Sequence, residues 1–219
     1  CAHCLGNPMM DGLKNDPLPE LIKPFRRLLL LCGSRMPEAE KNFQRLIIAL
    51  NKFETRDALA VFVAIGRSPS LEIIQDFLRA QGFIQCFFPL GEIGAKACFS
   101  KANKLIFIGP DQFSCWAAWV EIGLATAGTA TEQLVGLGIP VVSLPGPGPQ
   151  FTRGFAKRQS RLLGGAVMPC LRQEEFSSRL TLLLRDKTLR DRLGRIGSKR
   201  MGLPGASLAL ANLVQRVLL

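Results

Sequence analysis

The amino-acid sequence predicts an α/β fold with a doubly wound parallel sheet. Strand-like and helix-like segments alternate along the chain of 219 residues. Residues 27–32 and 59–65 are almost continuous apolar runs, which are typical of parallel strands because such strands are buried on both faces. Strands that alternate with helices in this way favour a parallel sheet. With 47% hydrophobic residues, the chain is also long enough to bury the core of one large domain.

The predicted strands and helices follow one another in the order that this fold requires. The strands are predicted at residues 27–32, 59–65, 83–88, 105–108, 122–127 and 140–144. The helices are predicted at residues 37–53, 70–81, 111–120, 131–137, 151–163, 174–184, 189–196 and 208–219. Trp116 and Trp119 share one helix face, and we expect that face to be buried in the core.

The composition limits the classes of partner. A net charge of +11 is compatible with nucleic acid, with an anionic membrane surface and with a phosphate-bearing ligand. Tyr is absent and the charges are dispersed, which argues against a stacking platform for nucleic acid. No apolar run has the length of a membrane span or the pattern of a signal peptide. Seven cysteines, an odd number, indicate a reducing compartment, and we expect a cytoplasmic protein.

The sequence lacks the common metal and cofactor motifs. Cys1-Ala2-His3-Cys4 is the one CxxC, and no second pair of ligands completes a zinc site. The absence of GxGxxG argues against an NAD site, and the absence of GxxxxGK[ST] argues against an ATPase. We therefore expect no metal and no cofactor.

Two turns that follow predicted strands are candidate anion sites, because ligands of parallel sheets bind beyond the carboxyl ends of the strands. The first turn is Gly33-Ser34-Arg35. Its glycine lets the backbone approach an anion, its serine offers a hydroxyl and its arginine offers a forked donor. The alternative is an ordinary strand–helix turn with a surface arginine.

The second candidate turn begins at Gly128 and continues into a predicted helix. Its small residues allow a ligand to approach, and its threonine hydroxyls lie beside the free N–H groups of the helix start. Glu132 or Gln133, one turn into the helix, is within reach of ribose hydroxyls. The alternative is a plain capped helix. The candidate residues here are Gly128, Thr129, Ala130, Thr131, Glu132 and Gln133.

A third polar segment follows the proline- and glycine-rich run at residues 145–149. It forms a basic loop and helix start, and it is a candidate for contact with a sugar phosphate. The alternative is a solvated helix face. Its polar residues are Gln150, Arg153, Lys157, Arg158 and Gln159.

Taken together, these segments resemble the C-terminal half of a GT-B glycosyltransferase, which has a Rossmann-like sheet. The resemblance is to the lipid-A-disaccharide synthase family, in particular its cyanobacterial and plastid related branch, and it spans most of residues 5–219. Four stretches carry it. They are GNPMMD at 6–11, LLCGSR at 30–35, the turn at 127–133 with GLGIP at 136–140, and PGPGPQF at 145–151 with QSRLLG at 159–164.

The resemblance implies a UDP-sugar donor of the UDP-N-acetylglucosamine type. It implies inverting transfer of the sugar to a lipid or saccharide acceptor, without a metal. Uracil would lie against the loop at 108–113, where backbone groups of Ile108 and Gly109 would read the base edge beside Phe113. The pyrophosphate would lie between the Arg35 turn and the Gly128 turn. No nucleic acid is expected as a partner.

The resemblance also implies how the chain is divided. Residues 1–12 would link two domains, and residues 13–200 would form the nucleotide-sugar-binding domain. Residues 201–219 would form a C-terminal helix that crosses to a missing N-terminal half, unless the helix packs on its own sheet. The general base is expected in that half, so this fragment alone should bind donor without turnover. The ribose-binding glutamate of the family falls at Gln133, with Glu132 one residue earlier, and the choice between them is open.

The basic surface favours peripheral contact with an anionic inner membrane that carries a lipid acceptor. Two alternative functions remain open. One is a UDP-N-acetylglucosamine 2-epimerase-like enzyme on the same fold, against which the lack of a placed histidine argues. The other is a non-catalytic nucleotide-sugar or polyanion-binding module, whose binding would be salt-sensitive and not selective for uridine.

Overall fold

The computed structural model describes residues 6–13, 16–146 and 151–218. Within these ranges, eight strands form one sheet in the order β3-β4-β5-β2-β1-β6-β7-β8. The strands are β1 Arg26–Leu31, β2 Leu59–Ile65, β3 Ile84–Gln85, β4 Ala97–Lys101, β5 Lys104–Pro110, β6 Ile122–Ala125, β7 Val141–Ser143 and β8 Val167–Pro169. The α-helices are α1 Glu38–Lys52, α2 Leu71–Ala80, α3 Leu90–Ile93, α4 Phe113–Ala117, α5 Thr129–Gly136, α6 Arg153–Leu162, α7 Glu175–Arg185, α8 Lys187–Met201 and α9 Ala206–Leu218.

Most of the sheet is parallel, which confirms the predicted α/β, Rossmann-like class. β1 pairs in parallel with β2 and with β6, and the parallel pairing continues outward through β5 on one side and through β7 and β8 on the other. The side chains of β1 from Leu28 onward and most of those of β2 are buried. This burial explains why both strands read as apolar runs in the sequence.

One edge of the sheet departs from the predicted parallel arrangement. β4, which the sequence pattern does not predict, runs antiparallel to both β3 and β5. Only Ala102 and Asn103 separate β4 from β5, and so short a connection can join only antiparallel neighbours, because a parallel crossover needs a dozen residues or more. The strand predicted at 83–88 is reduced to Ile84–Gln85, and the short strand β8 is a further addition.

Both tryptophans are buried, as predicted. Trp116 packs on Phe62, and its indole nitrogen donates to the carbonyl oxygen of Ile93 at 2.7 Å. Trp119 packs on the same phenylalanine, and its indole nitrogen donates to the carbonyl oxygen of Asp16 at 3.0 Å. A buried indole N–H needs such a partner, so these bonds fix the segment around α4 on the sheet.

The first and last described segments of the chain pack together. The carboxylate of Asp11 accepts hydrogen bonds from the backbone N–H groups of Gly205 and Ser207, at the start of α9. The Ser207 side chain and these backbone groups lower the pKa of Asp11 below its ordinary value. Beyond this contact much of α9 is exposed, including the apolar side chains of Leu208 and Val214. In the described part of the chain, no helix has both the length and the apolarity of a membrane span.

Candidate functional site

The strand order reverses between β1 and β6. The chain goes from β1 to β2 on one side, whereas it goes from β6 to β7 on the other side of β1. In open parallel sheets the loops diverge at such a switch point and leave a crevice for a ligand. A cavity of about 690 Å³ lies there, and its lining includes residues that follow β1, β2, β5, β6 and β7. This volume suits a small organic ligand.

The turn after β1 borders the cavity with backbone, hydroxyl and guanidinium groups. Gly33 has a φ of +89°, a conformation that side chains rarely adopt, and glycine is therefore required at this position. Ser34 and Arg35 follow it, and both are exposed. α1 begins at Glu38 without a side-chain cap. The positive end of the α1 dipole and the Arg35 guanidinium both favour an anion here.

The turn after β6 faces the same cavity. A Cβ added to Gly128 would meet no atom within 4 Å, so a ligand has room to approach the backbone. Gly128 precedes α5, and no side chain caps this helix. The N–H groups of Thr129 and Ala130 lie in the first helical turn, where an α-helix offers unpaired donors and a positive dipole end. The two candidate turns therefore border the same cavity, each beside a helix start.

Most of the residues predicted from the sequence line this cavity. They are Gly33, Ser34, Arg35, Phe113, Gly128, Thr129, Ala130, Glu132 and Gln133. Ile108, Gly109, Thr131 and Gln159 do not line it. Gln150 lies outside the described residues, as do His3 and most of the run at 145–149.

Thr131 does not offer its hydroxyl to the cavity. Its side chain is fully buried, and Oγ1 donates to the carbonyl oxygen of Ala127 at 2.7 Å. Threonine hydroxyls within helices commonly bond the carbonyl four residues earlier. The prediction that Thr129 and Thr131 both face a ligand is therefore corrected, because of these two only Thr129 lines the cavity.

The predicted base-reading groups of Ile108 and Gly109 lie inside the sheet. The carbonyl oxygen of Ile108 accepts the N–H of Lys96 at 2.7 Å. A Cβ at Gly109 would lie 2.4 Å from Cη2 of Trp116, so this glycine makes room for the indole rather than for a ligand. In the segment that contains β5 and the following loop, the first residue that lines the cavity is Asp111, directly after the end of β5. The prediction for this loop is corrected accordingly.

Gln159 lies behind the cavity and connects two parts of its wall. Its side chain is buried, and Nε2 lies 3.3 Å from the carbonyl oxygen of Gly128 and 3.3 Å from Oε1 of Glu132. Oε1 of Gln159 is buried without a hydrogen-bond partner among the described residues. Gln159 therefore bonds Glu132 and the Gly128 turn from outside the cavity lining.

The basic side chains of α6 form a solvated helix face. Arg153, Lys157 and Arg158 are exposed and do not line the cavity. These three residues therefore fit the alternative of a solvated helix face. Phe151 and Phe155 are the residues of this segment that do line it. α6 thus contributes aromatic surface to the cavity.

Glu132 and Gln133 both line the cavity, but different bonds hold them. Nε2 of Gln133 donates to the carbonyl oxygen of Met9 at 2.8 Å, which ties α5 to the short 3-10 helix Pro8–Met10. Gln159 reaches only Oε1 of Glu132. Within the described part of the chain, the second carboxylate oxygen of Glu132 stays available for a ligand hydroxyl.

Four polar residues of the cavity wall are absent from the sequence predictions. They are Glu38, Asn42, Asp111 and Thr126. Glu38 and Asn42 lie four residues apart on α1 and therefore share a face. Nδ2 of Asn42 donates to the carbonyl oxygen of Cys32 at 3.3 Å, at the end of β1. The polar amide of Asn42 on the otherwise apolar face of α1 is the feature of the sequence that could have identified this position.

The charges around the cavity define the kind of ligand it suits. In the described lining, Arg35 is accompanied by three carboxylates, those of Glu38, Asp111 and Glu132. Arg35 and the two helix N-termini favour one anionic centre, whereas the carboxylates accept hydrogen bonds from hydroxyl groups. A ligand with a phosphate centre and hydroxyl-rich ends fits this pattern better than a polyanion does.

Solved structures with low sequence identity share this fold. The protein from Listeria monocytogenes assigned as a UDP-N-acetylglucosamine 2-epimerase gives a TM-score of 0.62 at 15% identity, over 97% of this chain and 53% of that chain. The S. aureus MnaA–UDP structure gives a TM-score of 0.60 at 15% identity, over 98% of this chain and 52% of that chain. The C-terminal CMP-Kdo binding domain of WaaA from Acinetobacter baumannii gives 0.57 at 14% identity, over 82% and 91%.

The chain has the fold of a GT-B C-terminal domain. It spans about half the length of the first two of these proteins and most of the third, which is itself a C-terminal domain. No family model matches the sequence, and no curated protein matches it. At identities of 14–15%, the similarity shows the GT-B fold alone.

Proposed function

We propose that this chain is the donor-binding half of a glycosyltransferase that uses a UDP-sugar, in the manner of a lipid-A-disaccharide synthase. One observation carries the proposal: two helix N-termini without side-chain caps, together with Arg35, meet at one cavity at the switch point of the sheet. Two proteins of the same fold support it, because one is complexed with UDP and the other is a CMP-Kdo binding domain.

The diphosphate of the donor would lie between the Gly33 and Gly128 turns. The guanidinium of Arg35 can donate two parallel hydrogen bonds to phosphate oxygens. The N–H groups of the first turn of α5 and the hydroxyl of Thr129 would donate from the opposite side. These donors surround the position where negative charge is highest in a nucleoside diphosphate.

The hydroxyl-bearing parts of the donor would face the carboxylates. We assign the ribose contact to Glu132, because Gln159 holds this carboxylate at the cavity wall. The amide nitrogen of Gln133 is already bonded to the carbonyl oxygen of Met9. The uracil ring would lie against Phe113, beyond the end of β5, where a flat aromatic surface is available for stacking.

The proposed reaction is an inverting displacement at the anomeric carbon. The bond from this carbon to the phosphate oxygen breaks, UDP leaves with the electron pair, and the acceptor oxygen forms the new bond. Arg35 and the helix N-termini would stabilise the charge that develops on the leaving phosphate. The proton of the acceptor hydroxyl would pass to a base that we expect in an N-terminal domain. A lipid or saccharide acceptor at an anionic inner membrane is part of this proposal.

A UDP-N-acetylglucosamine 2-epimerase-like activity is a second candidate, favoured by the three carboxylates in the cavity wall. Inverting a sugar carbon requires a group that removes its proton, and Glu38 or Asp111 is a carboxylate of this kind. NMR of UDP-N-acetylglucosamine incubated with the protein, without acceptor, tests this second candidate. A change in the configuration of the sugar would favour the epimerase and contradict the transferase.

Nucleotide selectivity tests the proposed function. UDP should raise the Tm more than ADP or GDP does at the same concentration, because stabilisation by a ligand grows with its affinity for the folded state. Inorganic pyrophosphate is the control, since it reports binding of the diphosphate without a base. Equal Tm shifts for the three nucleotides would contradict the uracil assignment and would favour a general anion-binding module.

A further inference from the structure

Two cysteines face each other at the antiparallel edge of the sheet, away from the switch-point cavity. The backbone N–H of Cys86 donates to the carbonyl oxygen of Cys98 at 3.0 Å, so the ladder between β3 and β4 continues to this pair. Their sulfur atoms are 3.0 Å apart. None of the roles discussed for the chain uses either thiol.

The backbone geometry at this pair is compatible with a disulfide. One ladder hydrogen bond joins the two residues, and directly opposed residues of an antiparallel ladder have Cα atoms about 4.5–5.5 Å apart. Disulfides span Cα separations of about 4.4–6.8 Å, so a bond here needs little backbone movement. Cys86 is partly exposed whereas Cys98 is buried. A reagent in solution therefore has access to Cys86 first.

We propose that Cys86 and Cys98 form a modification site, at which a small-molecule disulfide of the glutathione type converts the two thiols into a reversible disulfide bond. The thiolate of Cys86 attacks one sulfur of the oxidant and releases one reduced thiol. The thiolate of Cys98 then attacks the mixed disulfide at Cys86 and releases the second thiol. The protein loses two electrons and two protons, and the oxidant gains them.

The bond would fasten the segment that supports one wall of the cavity. The loop from Cys86 to Cys98 contains α3, and its Ile93 carbonyl accepts the indole N–H of Trp116. Gly94, at the end of α3, lies against the side chain of Gln112. Asp111 and Phe113, on either side of this glutamine in sequence, line the cavity. Oxidation would therefore stiffen the β5 side of the site.

Burial also sets the pH dependence of the exchange. Burial and the neighbouring Cys86 thiol raise the pKa of Cys98 above its ordinary value. The thiolate is the attacking species, so the second step should speed up as the pH rises. A reducing compartment would keep the pair reduced at rest, and an oxidant would convert it reversibly.

Peptide mapping tests the proposal. The folded protein is equilibrated with oxidised glutathione, its remaining thiols are alkylated, and it is cleaved with trypsin. Cleavage after Arg79, Lys96 and Lys101 puts Cys86 in the peptide 80–96 and Cys98 in the peptide 97–101. The expected result is a linked 80–96/97–101 pair that dithiothreitol separates. We also expect the oxidised form to have a Tm about 5–10 °C higher, since the bond closes a loop of moderate length.

Single variants supply the controls. Cys86→Ser and Cys98→Ser should each abolish both the linked pair and the rise in Tm. Cys170→Ser, which removes another buried thiol, should retain both. A protein that stops at the glutathione adduct of Cys86, or in which both cysteines are alkylated after oxidation, would overturn the proposal. A linked pair without a change in Tm would overturn the inferred stiffening.

Discussion

The two ends of the central sheet each carry a cavity, and the two cavities are similar in size. The cavity at the carboxyl ends of the strands has a volume of about 690 Å³, and its lining carries one arginine and three carboxylates. The cavity at the amino end of β1 has about 850 Å³. Its charged residues are Arg26, Glu54, Arg56, Asp57 and Arg185. By side-chain charge alone, the second cavity would be the better anion site.

The helix ends reverse this ranking. α1 and α7 end near the second cavity, with Lys52 and Arg185 in their last turns. Helix C-termini carry partial negative charge, so basic side chains there complement the helices themselves. Arg26 is engaged as well, since its Nε lies 2.6 Å from Oε2 of Glu121. At the carboxyl ends, helix N-termini leave their donors to a ligand. Backbone polarity, more than summed side-chain charge, therefore distinguishes the two cavities and favours an anion at the carboxyl ends of the strands.

Removing one arginine from each cavity has the largest expected effect on this comparison. Arg35→Ala should weaken UDP binding by about 1–3 kcal/mol, roughly 5- to 150-fold, because a charge-assisted hydrogen bond to phosphate is lost. Arg56→Ala removes the same charge at the other end of the sheet and should leave the Kd for UDP unchanged. Isothermal titration calorimetry with UDP measures both variants. A loss of affinity in Arg56→Ala alone would move the site to the amino end.

Gly109→Ala separates support of the carboxyl-end cavity from contact with its ligand. The added Cβ would lie 2.4 Å from the Trp116 indole, and overpacking of this kind should lower the free energy of unfolding by about 2 kcal/mol. Gly91→Ala is the matched control, because a Cβ there meets no atom within 4 Å. Urea denaturation measures both variants. If Gly109→Ala kept full stability but lost UDP binding, this result would favour the base-reading role of Gly109 that the sequence analysis predicts.

Gln159→Leu should have the smallest effect of the three, and it tests whether Gln159 positions Glu132. UDP binding should weaken by about 1 kcal/mol, roughly 5-fold, as Glu132 and the Gly128 turn lose a hydrogen-bond donor. Stability should change little, because Oε1 of Gln159 is already buried without a partner. Gln44→Leu is the control, since Gln44 bonds Glu40 in a similar pair that does not line the cavity. Equal UDP affinity in the two variants would contradict the positioning role.

The parallel centre of the sheet was predictable because strands that are buried on both faces consist of consecutive apolar residues, which are recognisable in the sequence. The positions of the two candidate turns were predictable for a related reason, since each follows such a run. The hairpin of β4 was missed because Ala102 and Asn103 are not a standard turn pair, although Ala102 takes a left-handed φ of 50°.

The directions of individual side chains could not be predicted from the sequence. Thr129 and Thr131 look equivalent in a list of residues, but the helix turns one toward the cavity and the other toward the Ala127 carbonyl. Gln159 looks like one more residue of a basic helix, and only the packing of α6 against α5 shows that it bonds Glu132. Such contacts between segments distant in sequence decide whether a residue touches a ligand or holds another that does.

The contact of Asp11 with the start of α9 connects the last helix with the cavity wall through the N-terminal segment. Asp11 is bonded to the start of α9, and it follows the 3-10 helix that contains Met9. The carbonyl oxygen of Met9 accepts from Gln133, which lines the cavity. A short series of contacts therefore connects α9 with the cavity wall. A partner that bound the exposed side of α9 would reach the cavity wall through these contacts, without entering the cavity.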